Sequence, residues 1–125
     1  MDWEPISEEA IWGEMNAAEA KMSPRQKNLW ENIRIVPEKW QQHLGGNEGQ
    51  GFWVVAIWGR TVLWYNDIEE GFNLSSYQRY GTIEEYYCAQ DELQWSLYKI
   101  LNAVDTGSNF GPSLGPPTAL DFRST

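Results

Sequence analysis

Three sets of side chains have the types and spacing to do chemistry. The first is Asn66-Asp67-Ile68-Glu69-Glu70, whose hard oxygens suit Mg²⁺ or Ca²⁺. The run misses the EF-hand spacing, because positions 67, 69 and 71 read Asp, Glu, Gly. In extended chain Asp67 and Glu69 share a side, whereas the neighbours Glu69/Glu70 and Glu84/Glu85 diverge. Two carboxylates near aromatic rings resemble the local chemistry of a glycoside hydrolase, although such enzymes usually need a longer chain for a sugar cleft. The second set is Cys88 with His43, each the sole residue of its type. As a nucleophile and base they lack any C-x-x-C, G-x-S-x-G or nucleophile elbow around them. A lone cysteine beside tyrosines reads instead as a small core residue. Two Cys/His ligands are too few for structural zinc. Gly45-Gly46-Asn47-Glu48-Gly49 carries an acid and no lysine, the wrong electrostatics for phosphate. No catalytic residue, metal site or cofactor is expected. A small enzyme or divalent-metal protein using Asp67, Glu69 and Glu70 is kept as the alternative.

The third set is aromatic. Trp53, Trp58, Trp64, Tyr65, Tyr77, Tyr80, Tyr86 and Tyr87 fall between 53 and 87, interleaved with acids. Core filling accounts for most of them. The chain has eight tryptophans, however, more than a core of this size accommodates with every indole N–H satisfied. Some should be partly exposed, and an aromatic patch ringed by carboxylates suits a basic protein partner. The residues expected to form it are Trp64, Tyr65, Asn66, Asp67, Glu69, Glu70, Glu84 and Glu85.

Charge sharpens this expectation. The 125 residues carry a net −9, which argues against nucleic acid and against an anionic membrane surface. Residues 1–20 hold −6 and residues 66–92 hold −6, separated by +3 over 21–40. A cationic partner would be drawn to wherever the two acidic blocks meet, although the same charge also keeps a Trp-rich chain soluble. The start Met1-Asp2-Trp3-Glu4-Pro5 lacks a secretory pattern, and one cysteine allows no internal disulfide. A cytoplasmic protein is expected.

These side chains need elements to position them. Ile11, Met15, Ala18 and Met22 predict a helix over 8–22. Ser23-Pro24-Arg25-Gln26 predicts a second helix start with an S-x-x-Q capping box, running to about Asn32. Ile33–Val36 reads as a short strand, stopped or held at an edge by Pro37. Residues 38–44 are open between a helical turn and a strand extended through Trp40. A loop is expected at 45–51. Phe52–Trp58, Gly59-Arg60 and Thr61–Asn66 predict a hairpin with a type II′ turn, pairing 58 with 61, 56 with 63 and 54 with 65. Both hairpin faces are apolar, so helices should cover one and something else the other. Asp67–Tyr80 reads as irregular, 81–88 as a strand, and Leu93, Leu97, Ile100, Leu101 and Val104 as a last helix from about Asp91. The sum is an α+β domain over 1–104 with a small, mainly antiparallel sheet, followed by a Gly/Pro/Ser-rich tail over 105–125.

The segment Trp64-Tyr65-Asn66-Asp67-Ile68-Glu69-Glu70-Gly71-Phe72-Asn73, with Tyr86-Tyr87-Cys88-Ala89-Gln90-Asp91-Glu92-Leu93, resembles a pattern of small uncharacterised bacterial proteins over residues 33–101. That resemblance implies no activity and carries over no catalytic residue. In composition alone the chain is similar to bacterial immunity proteins, which are small, acidic and cytoplasmic and block a basic toxin. The expectation is a non-catalytic acidic protein-binding domain, an immunity or inhibitor protein docking a basic partner. A structural homodimer, its second hairpin face buried against a second copy, is the remaining alternative.

Overall fold

A computed structural model describes residues 4–42 and 51–107. His43, most of the Gly-rich loop and the tail beyond 107 lie outside the described residues. Helices α1 (Glu8–Glu19) and α2 (Pro24–Ile33) lead into strands β1 (Arg34–Trp40), β2 (Phe52–Trp58), β3 (Thr61–Asn66) and β4 (Gly71–Ser76), and α3 (Leu93–Thr106) follows. The strands form one antiparallel sheet in the order β1-β2-β3-β4. The architecture is α+β, as expected.

Local chemistry sets the helix ends. The Ser7 hydroxyl accepts from Ala10 N at 3.1 Å and starts α1. That helix stops at Glu19, short of the expected 22, because Ser23 already caps α2. The capping box is present in both directions: Gln26 N donates to Ser23 Oγ at 3.1 Å, and Ser23 N to Gln26 Oε1 at 2.8 Å. The last helix begins at Leu93, with Glu92 as its cap residue, so Asp91 precedes it and instead pairs with Lys99 at 2.5 Å. It ends past 104, at Thr106, on Gly107 in the left-handed conformation (φ 74°).

β1 is an edge strand that continues through Pro37 to Trp40. It manages this with a register irregularity between Arg34 and Glu38, where the missing proline N–H is harmless. The hairpin turn has Gly59 at φ 61°, as type II′ requires. Pairing follows expectation at Trp58↔Thr61 and Ala56↔Leu63. A bulge then slips it, so Val54 faces Trp64 and Trp53 faces Tyr65. The expected 54–65 pair is therefore wrong by one residue. The bulge turns Val55 and Ala56 to the same face, together with Trp53 and Trp58. Phe52, Val54 and Ile57 turn to the other.

The helices cover the first face. Ile11, Met15, Ala18, Trp30, Leu93, Leu97 and Ile100 pack on Val55, Leu63, Tyr65, Phe72 and Leu74. The Arg34 guanidinium lies over the rings of Trp12 and Trp30, 5.6 and 5.3 Å from their centroids. It pairs with Glu19 at 2.6 Å, and the same Glu19 oxygen accepts from the Trp30 indole at 2.7 Å. This cluster ties α1, α2 and β1 together. The second face carries Trp40, Phe52, Val54, Val62 and Trp64. The chain itself covers it: residues 77–91 cross that face with isolated bridges at Thr82 and Asp91 in place of a strand, and put Ile83, Tyr77 and Tyr86 on it.

The expected strand at 81–88 is thus a strap, and the expected irregular segment at 67–80 contains β4. Both differences have one cause. Phe72-Asn73-Leu74-Ser75 alternates apolar and polar over only four residues, and its polar members, which read as turn residues, hold the strap. Asn73 exchanges two hydrogen bonds with the backbone of Ala89, at 2.9 and 3.1 Å. Ser75 Oγ donates to Glu85 O at 2.9 Å, and Ser76 N and Oγ donate to the Glu85 carboxylate at 2.7 and 2.5 Å. At the other edge Gln41 N donates to Gly81 O and Ile83 N to Gln41 O, at 2.8 and 2.9 Å.

Candidate partner-binding site

The turn joining β3 to β4 is built by Asn66. This buried side chain accepts from Ile68 N at 3.0 Å and Glu69 N at 3.2 Å, and donates to Tyr87 O at 2.9 Å. Glu70 N closes the turn on Asn66 O at 2.7 Å. Glu70 itself sits at φ 62°, the one described non-glycine with positive φ. A glutamate there carries a backbone cost of about 1–2 kcal/mol that glycine would not. Its side chain lines a cleft.

That cleft has a volume of about 130 Å³. Tyr65 and Phe72 line it, their rings 4.8 Å apart and tilted by 58°. Glu14 from α1, Glu70 from the turn, and Asp91 and Glu92 ahead of α3 surround these rings. Lys21 also lines it and meets Glu92 at 3.5 Å, a long contact between side chains that are each 58% exposed. Such a pair is worth little. The Glu92 carboxylate accepts from Gln94 Nε2 at 2.5 Å as well. Burial, and then the charges of Glu14, Glu70 and Asp67, push the Tyr65 phenol up to about 12. Negative charge from both acidic blocks therefore converges on one ring.

The structure distributes the eight expected surface residues unequally. Tyr65, Asp67, Glu69 and Glu70 stand together at the turn and cleft. Asp67 is half-buried, and its Oδ2 accepts from Ile6 N at 2.8 Å, which fastens the N-terminal segment to the turn. Beside it, burial lowers the Lys39 ammonium from its ordinary value while Asp67 opposes the shift. Trp64, Asn66 and Glu85 are internal and offer a partner no surface. Trp64 is fully buried and donates its indole N–H to Ser75 Oγ at 2.9 Å, and Glu85 holds the strap. Burial wins because β3 is an inner strand with both faces covered. Glu84 is exposed, but it lines a separate hollow with Gln41, Gln78, Arg79 and Thr82, near the far end of β4.

Sequence reasoning missed Glu14, Glu92, Trp95 and Tyr98. The first two reach the cleft only through tertiary packing. The aromatic pair did leave a signal. Leu93, Leu97 and Ile100 define the inner face of the last helix, and positions 95 and 98 fall off it. Among the described residues no three His, Cys, Asp or Glu side chains stand where they could hold a metal ion, and Cys88 is exposed and free. No described helix is long and apolar enough to cross a membrane. Comparison with known proteins found no matching family model, no matching curated protein and no matching solved structure.

Proposed function

We propose that the protein is a non-catalytic binding domain whose acidic cleft receives a lysine or arginine side chain of a basic protein partner. One observation carries this reading: Glu14 and Glu70, from acidic blocks far apart in sequence, converge on Tyr65 with Asp91 and Glu92 beside them. The cleft matches such a side chain in both halves. Its floor is the edges of the buried Tyr65 and Phe72 rings, 8% and 3% exposed, and the cationic head meets the carboxylates at its rim. Long-range attraction to a −9 chain would also steer a basic partner and speed its association at low salt. An immunity or inhibitor protein facing a basic toxin is the specific biological form of this reading. The composition supports it.

Amide chemical-shift mapping tests the site, with hexalysine and hexaglutamate as probes. Hexalysine should move residues 14, 21, 65, 70 and 90–94, and raised salt should reverse the shifts. Hexaglutamate should leave them in place. Shifts spread evenly over the acidic surface, or none at millimolar peptide, would remove the cleft as a binding site.

A further inference from the structure

The indole N–H groups of Trp12, Trp30, Trp40, Trp53 and Trp64 each donate to an acceptor of this chain. The Trp95 indole has no such acceptor among the described residues, and Trp95 is 55% exposed. One turn further along α3, Tyr98 is 52% exposed and meets Trp95 edge-to-face, with centroids 6.0 Å apart. The helix buries Leu93, Ser96, Leu97, Ile100 and Ala103, so these two rings stand on its outer side. A single exposed ring needs no explanation. Two rings that order each other and hold an idle donor match the anchors that dominate protein interfaces. Trp95 directly follows Gln94, which lines the acidic cleft together with Asp91, Glu92 and Leu93. The aromatic pair therefore begins one residue beyond the cleft lining, in the first turn of α3.

We infer that Trp95 and Tyr98 are the apolar anchor of the cation-binding surface, and that its occupant is a basic protein presenting apolar and Lys/Arg side chains together. The inference rests on the proposed cleft function. Charge selects the occupant. A second copy would bring its own −9 and its own acidic cleft to the contact, and like charges oppose that approach. A basic partner gains at the cleft and buries the rings in the same contact. A backbone carbonyl on that partner can take the Trp95 proton.

The test uses the full chain labelled with 5-fluorotryptophan, with the Trp95 fluorine resonance assigned by its loss in Trp95→Phe. The probes are hexalysine and an amphipathic helical peptide with the same number of lysines and a leucine face. The lysine–leucine peptide should bind about tenfold tighter or better, shift the Trp95 resonance and remove its solvent-isotope effect. Trp95→Ala/Tyr98→Ala should reduce that affinity to the hexalysine value and leave hexalysine binding unchanged. Alanine is a good helix former at these exposed positions, so the variant keeps its fold. Equal affinities and an unmoved Trp95 signal, with hexalysine still in the cleft, would overturn the anchor and spare the cleft. Failure of both peptides to bind would overturn the proposed function and the anchor with it. A Trp95 resonance already shielded in the free protein would also overturn it. Shielding that depends on concentration would assign the face to a second copy, and shielding that does not would assign it to another part of this chain.

Discussion

Tyr65 reports the field at the cleft. Its phenol is held at about 12, first by burial and then by Glu14, Glu70 and Asp67. Glu14→Gln/Glu70→Gln should therefore lower that value while leaving it above the ordinary 10, measured by NMR of carbon-labelled tyrosine. The sign for stability follows. The folded phenol holds its proton to higher pH than the unfolded one, so stability falls as pH rises from about 10 through about 12. The double variant should narrow that window. Glu70 gives a second test, because its left-handed backbone is unfavourable for a glutamate. Glu70→Gly should leave stability unchanged or raise it by up to about 1 kcal/mol in urea unfolding, while weakening hexalysine binding. Two tryptophans should behave as opposites. Trp64→Ala should cost about 3–5 kcal/mol, whereas Trp95→Ala should stay within about 0.5 kcal/mol. Residue types alone placed Trp64 on a surface and passed over Trp95. Composition shows that some indoles must be exposed, but sheet position decides which.

At the scale of elements, the helices and the central hairpin were legible because each rests on local rules: the Ser23–Gln26 capping box, the Gly59-Arg60 turn, and 3.6-residue periodicity. β4 and the strap were not, because each stabilises the other across sequence. Asn73, Ser75 and Ser76 look like loop residues until Glu85 and Ala89 are set against them. The 54–56 bulge was hidden for a related reason. A one-residue slip leaves the apolar character of both faces intact, so the pattern does not disclose it. At Gly71 strap and strand approach so closely that no side chain fits between them. A Cβ there would stand 2.2 Å from Gln90 Cα and 2.3 Å from Ala89 O. Gly71→Ala should cost about 1–3 kcal/mol by overpacking and should raise amide exchange across 84–91. Gly59→Ala meets no atom within 4 Å and disturbs only its left-handed turn, so its cost of about 1 kcal/mol should leave 84–91 protected.

For the whole molecule, folding turns a diffuse net charge into a directed one. Members of both −6 blocks, Glu14 of the first and Glu70, Asp91 and Glu92 of the second, line one cleft beside Tyr65, and Ile6 N donates a hydrogen bond to Asp67 nearby. That acids of the two blocks could come together was readable from charge order. The location was not, because the packing of α1 against the sheet sets it. The competing view is that −9 serves solubility and attracts any polycation without preference. Affinity for hexalysine across a salt series separates the two. It compares the wild type, Glu14→Gln/Glu70→Gln/Glu92→Gln, and a control of equal net charge, Glu9→Gln/Glu31→Gln/Glu84→Gln, whose sites lie outside the cleft. A cleft that binds cations predicts that the first variant loses most of the low-salt affinity and of its salt dependence, while the control keeps both. Equal losses in the two variants would contradict the cleft and leave the charge as a property of the surface as a whole.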